Sequence, residues 1–356
     1  MSSQASKVRF AVIGAGLIGP RHARTVAQSA DAILVAIVDP APSGHDLASE
    51  LNVAHYASVD ELLQSPDSPE AAIVCTPNHT HVQVSKRLSS SGVHVLVEKP
   101  VSSDIATGLE LVEHLRTAGV KALVGHHRRF NPVIESVAKT LSEESLGKVI
   151  AINGVWTLYK PSEYFEAPTA WRQGKDGGVI LINMIHEVDI LHYLLGPIVR
   201  VYAEKTMSER GHEAEEGAAL TLRFKSGVVG TFLISDNVPS PYNFEAGTGE
   251  NPLIPKTGQP FYTIFGTNGT LSVPDMGIWS YRDTKKSWHS TMTRDEKPCS
   301  DEVPFEQQLR HFCRVIRQDE LPRCSVQAGL AALVVCQAIK ESLETNTPVD
   351  IDNYEL

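Results

Sequence analysis

Val8-Arg9-Phe10-Ala11-Val12-Ile13-Gly14-Ala15-Gly16-Leu17-Ile18-Gly19 is the stretch on which the fold turns. Its first six residues are largely apolar, as a strand buried on both faces of a parallel sheet would be. A helical stretch follows from Arg21 to Ser29. Between them, Gly14 permits a tight turn, Gly16 lets a pyrophosphate approach the backbone, and Gly19 allows the helix to pack close to the strand. With Leu17 and Ile18 these residues form a turn that leads into a helix N-terminus, where free N–H groups and a positive dipole end suit phosphates. The strand–turn–helix setting predicts a bound dinucleotide.

The second strand, Ile33 to Val38, ends at Asp39, twenty residues beyond Gly19. A carboxylate there accepts hydrogen bonds from ribose hydroxyls and repels a 2′-phosphate. Pro40-Ala41-Pro42-Ser43 holds no Arg or Lys to receive such a phosphate, so NAD is favoured over NADP. Apolar runs at Ala71 to Cys75, His94 to Val97 and Lys121 to Gly125 read as further strands. Helical stretches from Val59 to Leu63, Val82 to Ser90 and Ile105 to Ala118 separate them. Strands alternating with helices predict a doubly wound parallel sheet, a Rossmann domain over residues 1–125.

The pattern changes after about residue 150. Val149 to Tyr159 alternates like a long strand, and Ala218 to Phe224 and Val228 to Ser235 flank a hairpin at Lys225-Ser226-Gly227. Tyr262 to Phe265 and Thr270 to Val273 flank Thr267-Asn268-Gly269, whose Asn-Gly predicts a tight turn with positive φ. Residues 126–356 therefore read as an α+β domain with a large, mostly antiparallel open sheet. Val179 to Leu195 is expected to be a helix, and Val326 to Glu344, with its stripe Leu330, Leu333, Val334 and Ala338, a helix packed back on the body. The Pro-, Gly- and Asn-rich segment from Pro239 to Gln259 is expected to be a long loop.

Bulk properties narrow the partners. A chain of 356 residues is long enough for two cores. A net charge of -10 argues against nucleic acid, whose phosphates call for a basic face. No segment is an unbroken apolar run of about 18–20 residues, the length needed to span a bilayer, so no membrane partner is expected. Met1 to Lys7 lacks the apolar core of a secretory signal. Cys75, Cys299, Cys313, Cys324 and Cys336 are scattered without metal-like spacing, which points to the cytoplasm.

Further motifs recur in order: Cys75-Thr76-Pro77-Asn78-His79-Thr80-His81, Glu98-Lys99-Pro100, Arg128-Arg129-Phe130-Asn131-Pro132, Trp171-Arg172, Gly177-Gly178, His186-Glu187-Val188-Asp189 and Gly266-Thr267-Asn268-Gly269-Thr270. Together with the glycine turn and the segment ending near Pro348-Val349, they make the chain resemble the glucose–fructose oxidoreductase / inositol dehydrogenase (Gfo/Idh/MocA) family over nearly its whole length. The resemblance implies that Thr76, Pro77, Asn78 and His81 lie beside the adenosine and ribose of the cofactor. It places Glu98 and Lys99 near the nicotinamide ribose and the reacting carbon, with Trp171 and Arg172 approaching the nicotinamide end. Arg128 is expected to line the substrate cleft, with His126-His127 at its mouth. Homodimers or homotetramers built through the open sheet face are implied as well.

Hydride transfer between a secondary alcohol and nicotinamide needs a group that takes or gives the hydroxyl proton. His186 is the candidate, since an imidazole works in both directions near neutral pH. Lys99, at a strand end, would stabilise alkoxide character at the same oxygen. Many polyol-oxidising relatives carry Asp or Asn four residues before this histidine. Here that position is Ile182, and Asn183, three residues before and on a shared face of a regular helix, is the candidate substitute. His186, Asp189 and His192 do not suggest a metal, because six residues along a helix leave the two histidines about 240° out of register. The expected activity is NAD(P)-dependent oxidation or reduction of a small sugar-like or cyclic polyol substrate. A non-catalytic dinucleotide sensor and an NAD-assisted lyase or glycosidase are the alternatives.

Overall fold

The strand that opens the chain, β1 (Val8–Ile13), pairs in parallel with β2 (Ala32–Val38) on one side and with β4 (Ala71–Val74) on the other. A computed structural model describes residues 6–175, 177–281 and 285–351 of the chain. The polar start from Met1 to Ala5 lies outside these. With β3 (Ala54–Tyr56), β5 (His94–Val97) and β6 (Ala122–Val124), the strands form a six-stranded parallel sheet in the order β3-β2-β1-β4-β5-β6. The order reverses between β1 and β4, and the crevice at such a switch point is where open α/β sheets take their ligands.

The expected helices are present at Gly19–Gln28, Val59–Gln64, His81–Ser89 and Ile105–Ala118. Ser58 and Asp104 cap two of them by accepting N–H bonds from Glu61 and Thr107. One helix escaped the sequence reading, Pro42–Leu51, along with β3 after it. Two prolines and a polar start disguise it, yet Pro42 stands where a helix tolerates proline best, in its first turn. Asn52, with φ 53°, ends it.

A second sheet is built from β7 (Val149–Thr157), β8 (Ile198–Lys205), β9 (Gly217–Phe224), β10 (Val229–Ser235), β11 (Tyr262–Gly266), β12 (Gly269–Val273), β13 (Gly277–Ser280), β14 (Thr293–Glu296) and β15 (Val349–Asp350). Their order is β14-β13-β12-β11-β7-β10-β9-β8-β15, and only β7 and β10 pair in parallel. Along β9, buried Leu220, Leu222 and Phe224 alternate with exposed Ala219, Thr221 and Arg223. The period of two leaves one face in the core and the other open.

Three expectations are corrected here. The Thr267-Asn268 turn does join β11 to β12, but neither Asn268 nor Gly269 takes a positive φ. Glycine at 269 answers to packing instead, since a Cβ there would sit 2.9 Å from the Trp279 carbonyl oxygen on β13. The segment from Pro239 to Gln259 is not a plain loop. It carries the short helix Phe244–Thr248, whose Asn243 side chain caps it and whose Phe244 is fully buried. Finally, the helix before His186 is irregular: Ile180–Met184 is a π-helical turn, leading into a regular helix at Ile185–Leu195.

The chain divides into two compact units. Of the described residues, one contains 6–130 together with Glu302–Leu333, and the other contains Asn131–Asp301 and 334–351. Val326–Thr345 is long and apolar enough to cross a bilayer by composition, although most of its apolar window is buried within the protein.

Candidate functional site

In the first unit the glycine turn is shaped by crowding on two sides and openness on the third. Gly14 has φ 100°, and a Cβ on it would lie 2.7 Å from the Cys75 carbonyl oxygen. A Cβ on Gly19 would lie 2.0 Å from the Gly14 carbonyl oxygen. At Gly16, by contrast, nothing stands within 4 Å of the Cβ position. Leu17 is 88% exposed and Ile18 half-buried. Helix Gly19–Gln28 has neither a side-chain cap nor an acidic residue in its first turn. Pro20 carries no N–H, and the Arg21 and His22 N–H groups donate to the Ile18 carbonyl. The Gly19 N–H and the positive dipole end are what the helix offers an anion. This arrangement fits a pyrophosphate.

Asp39 follows β2 and braces the turn. Its Oδ2 accepts the Ala15 N–H at 2.6 Å and its Oδ1 the Ala41 N–H at 2.8 Å. Each carboxylate oxygen keeps a lone pair for a ribose hydroxyl. Thr76 and Thr80 are joined through their hydroxyls at 2.7 Å beyond β4, while Pro77 and Asn78 are exposed. His81 is buried. Its two ring nitrogens lie 2.8 Å from the carbonyl oxygens of Thr76 and Pro100, so it ties the loop after β4 to the loop after β5. Burial pushes its pKa down, against the pull of those two carbonyls.

Glu98 and Lys99 stand at the carboxyl end of β5. The Glu98 side chain is buried, its Oε1 lies 2.8 Å from His22 Nε2, and its Oε2 accepts the Lys99 backbone N–H at 3.2 Å. Burial works to raise its pKa, but the hydrogen bond from His22 and the charges of His22, His127 and Lys99 hold it at about 2. A Cβ on Gly125 would lie 2.5 Å from Glu98 Oε1, so only glycine leaves room for the carboxylate. Around His22, Phe305 meets its ring edge-on at 5.0 Å and stacks on His127 at 4.4 Å. His126, expected at a cleft mouth, is only 1% exposed and belongs to the core. Arg128 and Arg129 are both buried, and Arg129 donates to the Arg323 carbonyl at 2.6 Å.

In the second unit, His186 is buried on the helix Ile185–Leu195, next to Glu187, which accepts a hydrogen bond from the Tyr262 hydroxyl. The π-helical turn before it shifts the phase, so three-residue spacing no longer places Asn183 as in a regular helix. The Asn183 Oδ1 accepts instead from Lys160 Nζ at 2.7 Å. Lys160 also pairs with Asp236 at 3.1 Å and faces the Tyr164 and Trp156 rings at 4.7 and 5.6 Å. Its burial lowers its pKa, opposed by Asp236. Arg210 holds the other Asp236 oxygen at 2.6 Å. Trp171 is half-exposed, and Arg172 lies 3.8 Å over the Tyr164 ring while donating to the Tyr164 carbonyl.

Gly177-Gly178 gains a physical reason. A Cβ on Gly177 would strike the Arg172 backbone, and one on Gly178, where φ is 86°, would strike the Glu215 carboxylate. Glu215 accepts the Ile180 N–H at 2.9 Å and so caps the helix that carries His186. Burial raises its pKa. His22, Lys160 and Glu215 were not singled out from sequence. His22 stands three residues after Gly19, a spacing that offered a signal, and the glycine pair hinted at a close neighbour such as Glu215. Lys160 offered none, because its partners lie 23 and 76 residues away. Among the described residues, no group of three His, Cys, Asp or Glu could hold a metal ion.

Comparisons with known proteins agree with this geometry. An oxidoreductase family with an NAD-binding Rossmann fold matches residues 8–126, and the C-terminal alpha/beta domain of the same family matches residues 138–351. An inositol 2-dehydrogenase of Rhizobium meliloti is 30% identical over 53% of this chain and 55% of its own length. A scyllo-inositol 2-dehydrogenase (NAD(+)) of Bacillus subtilis is 25% identical over 97% of each chain. The crystal structure of a putative NADPH-dependent oxidoreductase from Desulfitobacterium hafniense shares the fold with a TM-score of 0.84, at 20% identity, covering 98% of this chain and 99% of that one. The glycine turn, the strand-end lysine and both domain matches thus converge: the chain belongs to the NAD-binding Gfo/Idh/MocA oxidoreductase family.

Proposed function

We propose that the protein transfers hydride between NAD and a secondary alcohol or ketone of a small sugar-like or cyclic polyol substrate, with Lys99 and His186 acting at the reacting oxygen. The observation that carries this reading is the seat of Lys99. It lies beyond β5, and its backbone is held by a buried carboxylate within the sheet that presents the dinucleotide turn. Bound NAD supplies the hydride acceptor. The Lys99 ammonium stabilises negative charge on the substrate oxygen. His186 removes the hydroxyl proton in oxidation and returns it in reduction. Arg128 and Asn183 contact substrate, while Asp39, Thr76, Pro77, Asn78, Glu98, Trp171 and Arg172 surround the cofactor. His81 supports them from beneath.

Asp39 favours NAD over NADP, because a 2′-phosphate would meet its carboxylate. The names of the two inositol dehydrogenases support a polyol-like substrate. A cytoplasmic homodimer or homotetramer is part of the same proposal. The test is His186→Ala: kcat for NAD-linked turnover should fall by about 10²–10⁴-fold while NADH binding persists. Turnover near that of the wild type would overturn the assignment. Tight NAD binding without turnover of any alcohol would favour a sensor.

A further inference from the structure

His81 is a ring caught between two oxygens that can only accept. Its Nδ1 lies 2.8 Å from the Pro100 carbonyl oxygen, and its Nε2 lies 2.8 Å from that of Thr76. A neutral imidazole has one N–H and one bare lone pair, so it can serve only one of the two. The other tautomer serves the other carbonyl and again sets a lone pair against an oxygen. Only the imidazolium, with a proton on each nitrogen, makes both bonds. Neither carbonyl accepts a backbone N–H among the described residues. At 1% exposure the ring is also shielded from bulk water.

The two carbonyls belong to different loops. Thr76 lies just beyond β4, and Pro100 follows Lys99 beyond β5. His81 itself opens the helix His81–Ser89, which anchors the ring. The ionisable groups around it set the direction of its response. Glu98 favours the charged ring and, with a pKa of about 2, is a carboxylate wherever an imidazole titrates. His79 opposes the charge, the Cys75 thiol is pushed up by burial and stays neutral, and burial of the ring draws its pKa below the ordinary 6.5. We propose that His81 is a positioning residue for Lys99 and the Thr76 loop, a clasp that holds both loops when its ring is charged and releases one when a proton leaves. By linkage, dinucleotide binding draws a proton onto the ring, and NADH affinity falls as pH rises. This rests on the reading that Thr76 and Lys99 meet the cofactor.

The ring is read directly by nitrogen NMR of the full chain with labelled histidine, His81→Gln identifying its signals among the fourteen histidines. Both His81 nitrogens should carry protons at pH 5.5 and only one at pH 8. Adding NADH should move that transition to higher pH. NADH affinity, followed by fluorescence, should weaken about fivefold or more from pH 5.5 to pH 8 in wild type. Glutamine cannot titrate, so His81→Gln should stay within about twofold over the same range. If His81→Gln does not fold, His81→Asn takes its place, and proton uptake by wild type on binding NADH near pH 6 tests the proposal without a variant. A ring with one proton at pH 5.5, a transition that NADH leaves in place, no proton uptake, or one pH profile shared by wild type and His81→Gln overturns it. Failure of the hydride-transfer reading would show elsewhere, as undiminished turnover by His186→Ala.

Discussion

His22 Nε2 and Glu98 Oε1 lie 2.8 Å apart with both side chains buried, directly beneath the backbone of Lys99. The pair joins the helix after the glycine turn to the strand end that bears the lysine, so the glycine turn and Lys99 share one support. His22→Leu would leave a buried carboxylate without its partner, a loss of about 3–5 kcal/mol. The pH dependence has a definite sign. With a folded pKa of about 2, below the ordinary value of 4.5, Glu98 contributes stability above pH 4.5 and loses it as pH falls toward 2. Chemical denaturation of wild type and Glu98→Gln should therefore differ most near pH 7, the gap closing between pH 5 and pH 2. A gap that widens on acidification would contradict the pairing.

The glycine turn separates folding from binding. Gly14→Ala forces a side chain into positive φ against the Cys75 carbonyl and should cost about 1–3 kcal/mol from backbone strain alone. Gly16→Ala meets no protein atom within 4 Å, so melting of the protein without cofactor should be unchanged. Its NADH affinity should fall at least tenfold, because the methyl group occupies the approach of the pyrophosphate. Thermal melting with and without NADH distinguishes the two variants, and equal behaviour would argue against the site.

Glu215 has the opposite pH signature to Glu98. Burial raises its folded pKa, so its contribution is full below the ordinary carboxylate value and is lost as pH rises through the folded one. Glu215→Gln keeps an acceptor for the Ile180 N–H but has no charge to bury. Its melting temperature should approach or exceed that of wild type at pH 8 and gain least at pH 4. A loss that is larger at pH 8 than at pH 4 would mean that the carboxylate's charge is needed for the cap.

Across the open face of the second sheet, register partners line up as Val229, Ala151, Phe265, Thr270 and Trp279 on five successive strands. Val229, Phe265 and Trp279 are each more than two-fifths exposed. An apolar row of this kind suits a second copy of the chain, the homo-oligomer proposed above. Phe265→Glu should shift the mass measured by light scattering to a smaller species with melting little changed. An unchanged mass would place the interface elsewhere.

Much of this was legible in the sequence because the signals were local. The apolar run Val8–Ile13, the glycine spacing and Asp39 lie within one βαβ unit, and Lys225-Ser226-Gly227 announced its own hairpin. What stayed hidden depended on distant partners. Lys160 acquires meaning only when β7 and β10 pair in parallel and bring Asp236 beside it. The Asn268-Gly269 turn was misjudged for a similar reason, since packing against β13 decides the glycine rather than turn conformation. Pro42–Leu51 was missed because its helix is nearly as polar as a loop.

The wide turn at Ile180–Met184 leaves a last implication. Such a turn amounts to one surplus residue absorbed within a helix, so positions before and after it are numbered on two different scales. Counting back four from His186 to compare this chain with a relative whose helix is regular would align residues that do not occupy the same place. The isoleucine at 182 is then a poor guide to lost chemistry, and excising a single residue from this segment would be a direct way to reset which side chain accompanies the histidine.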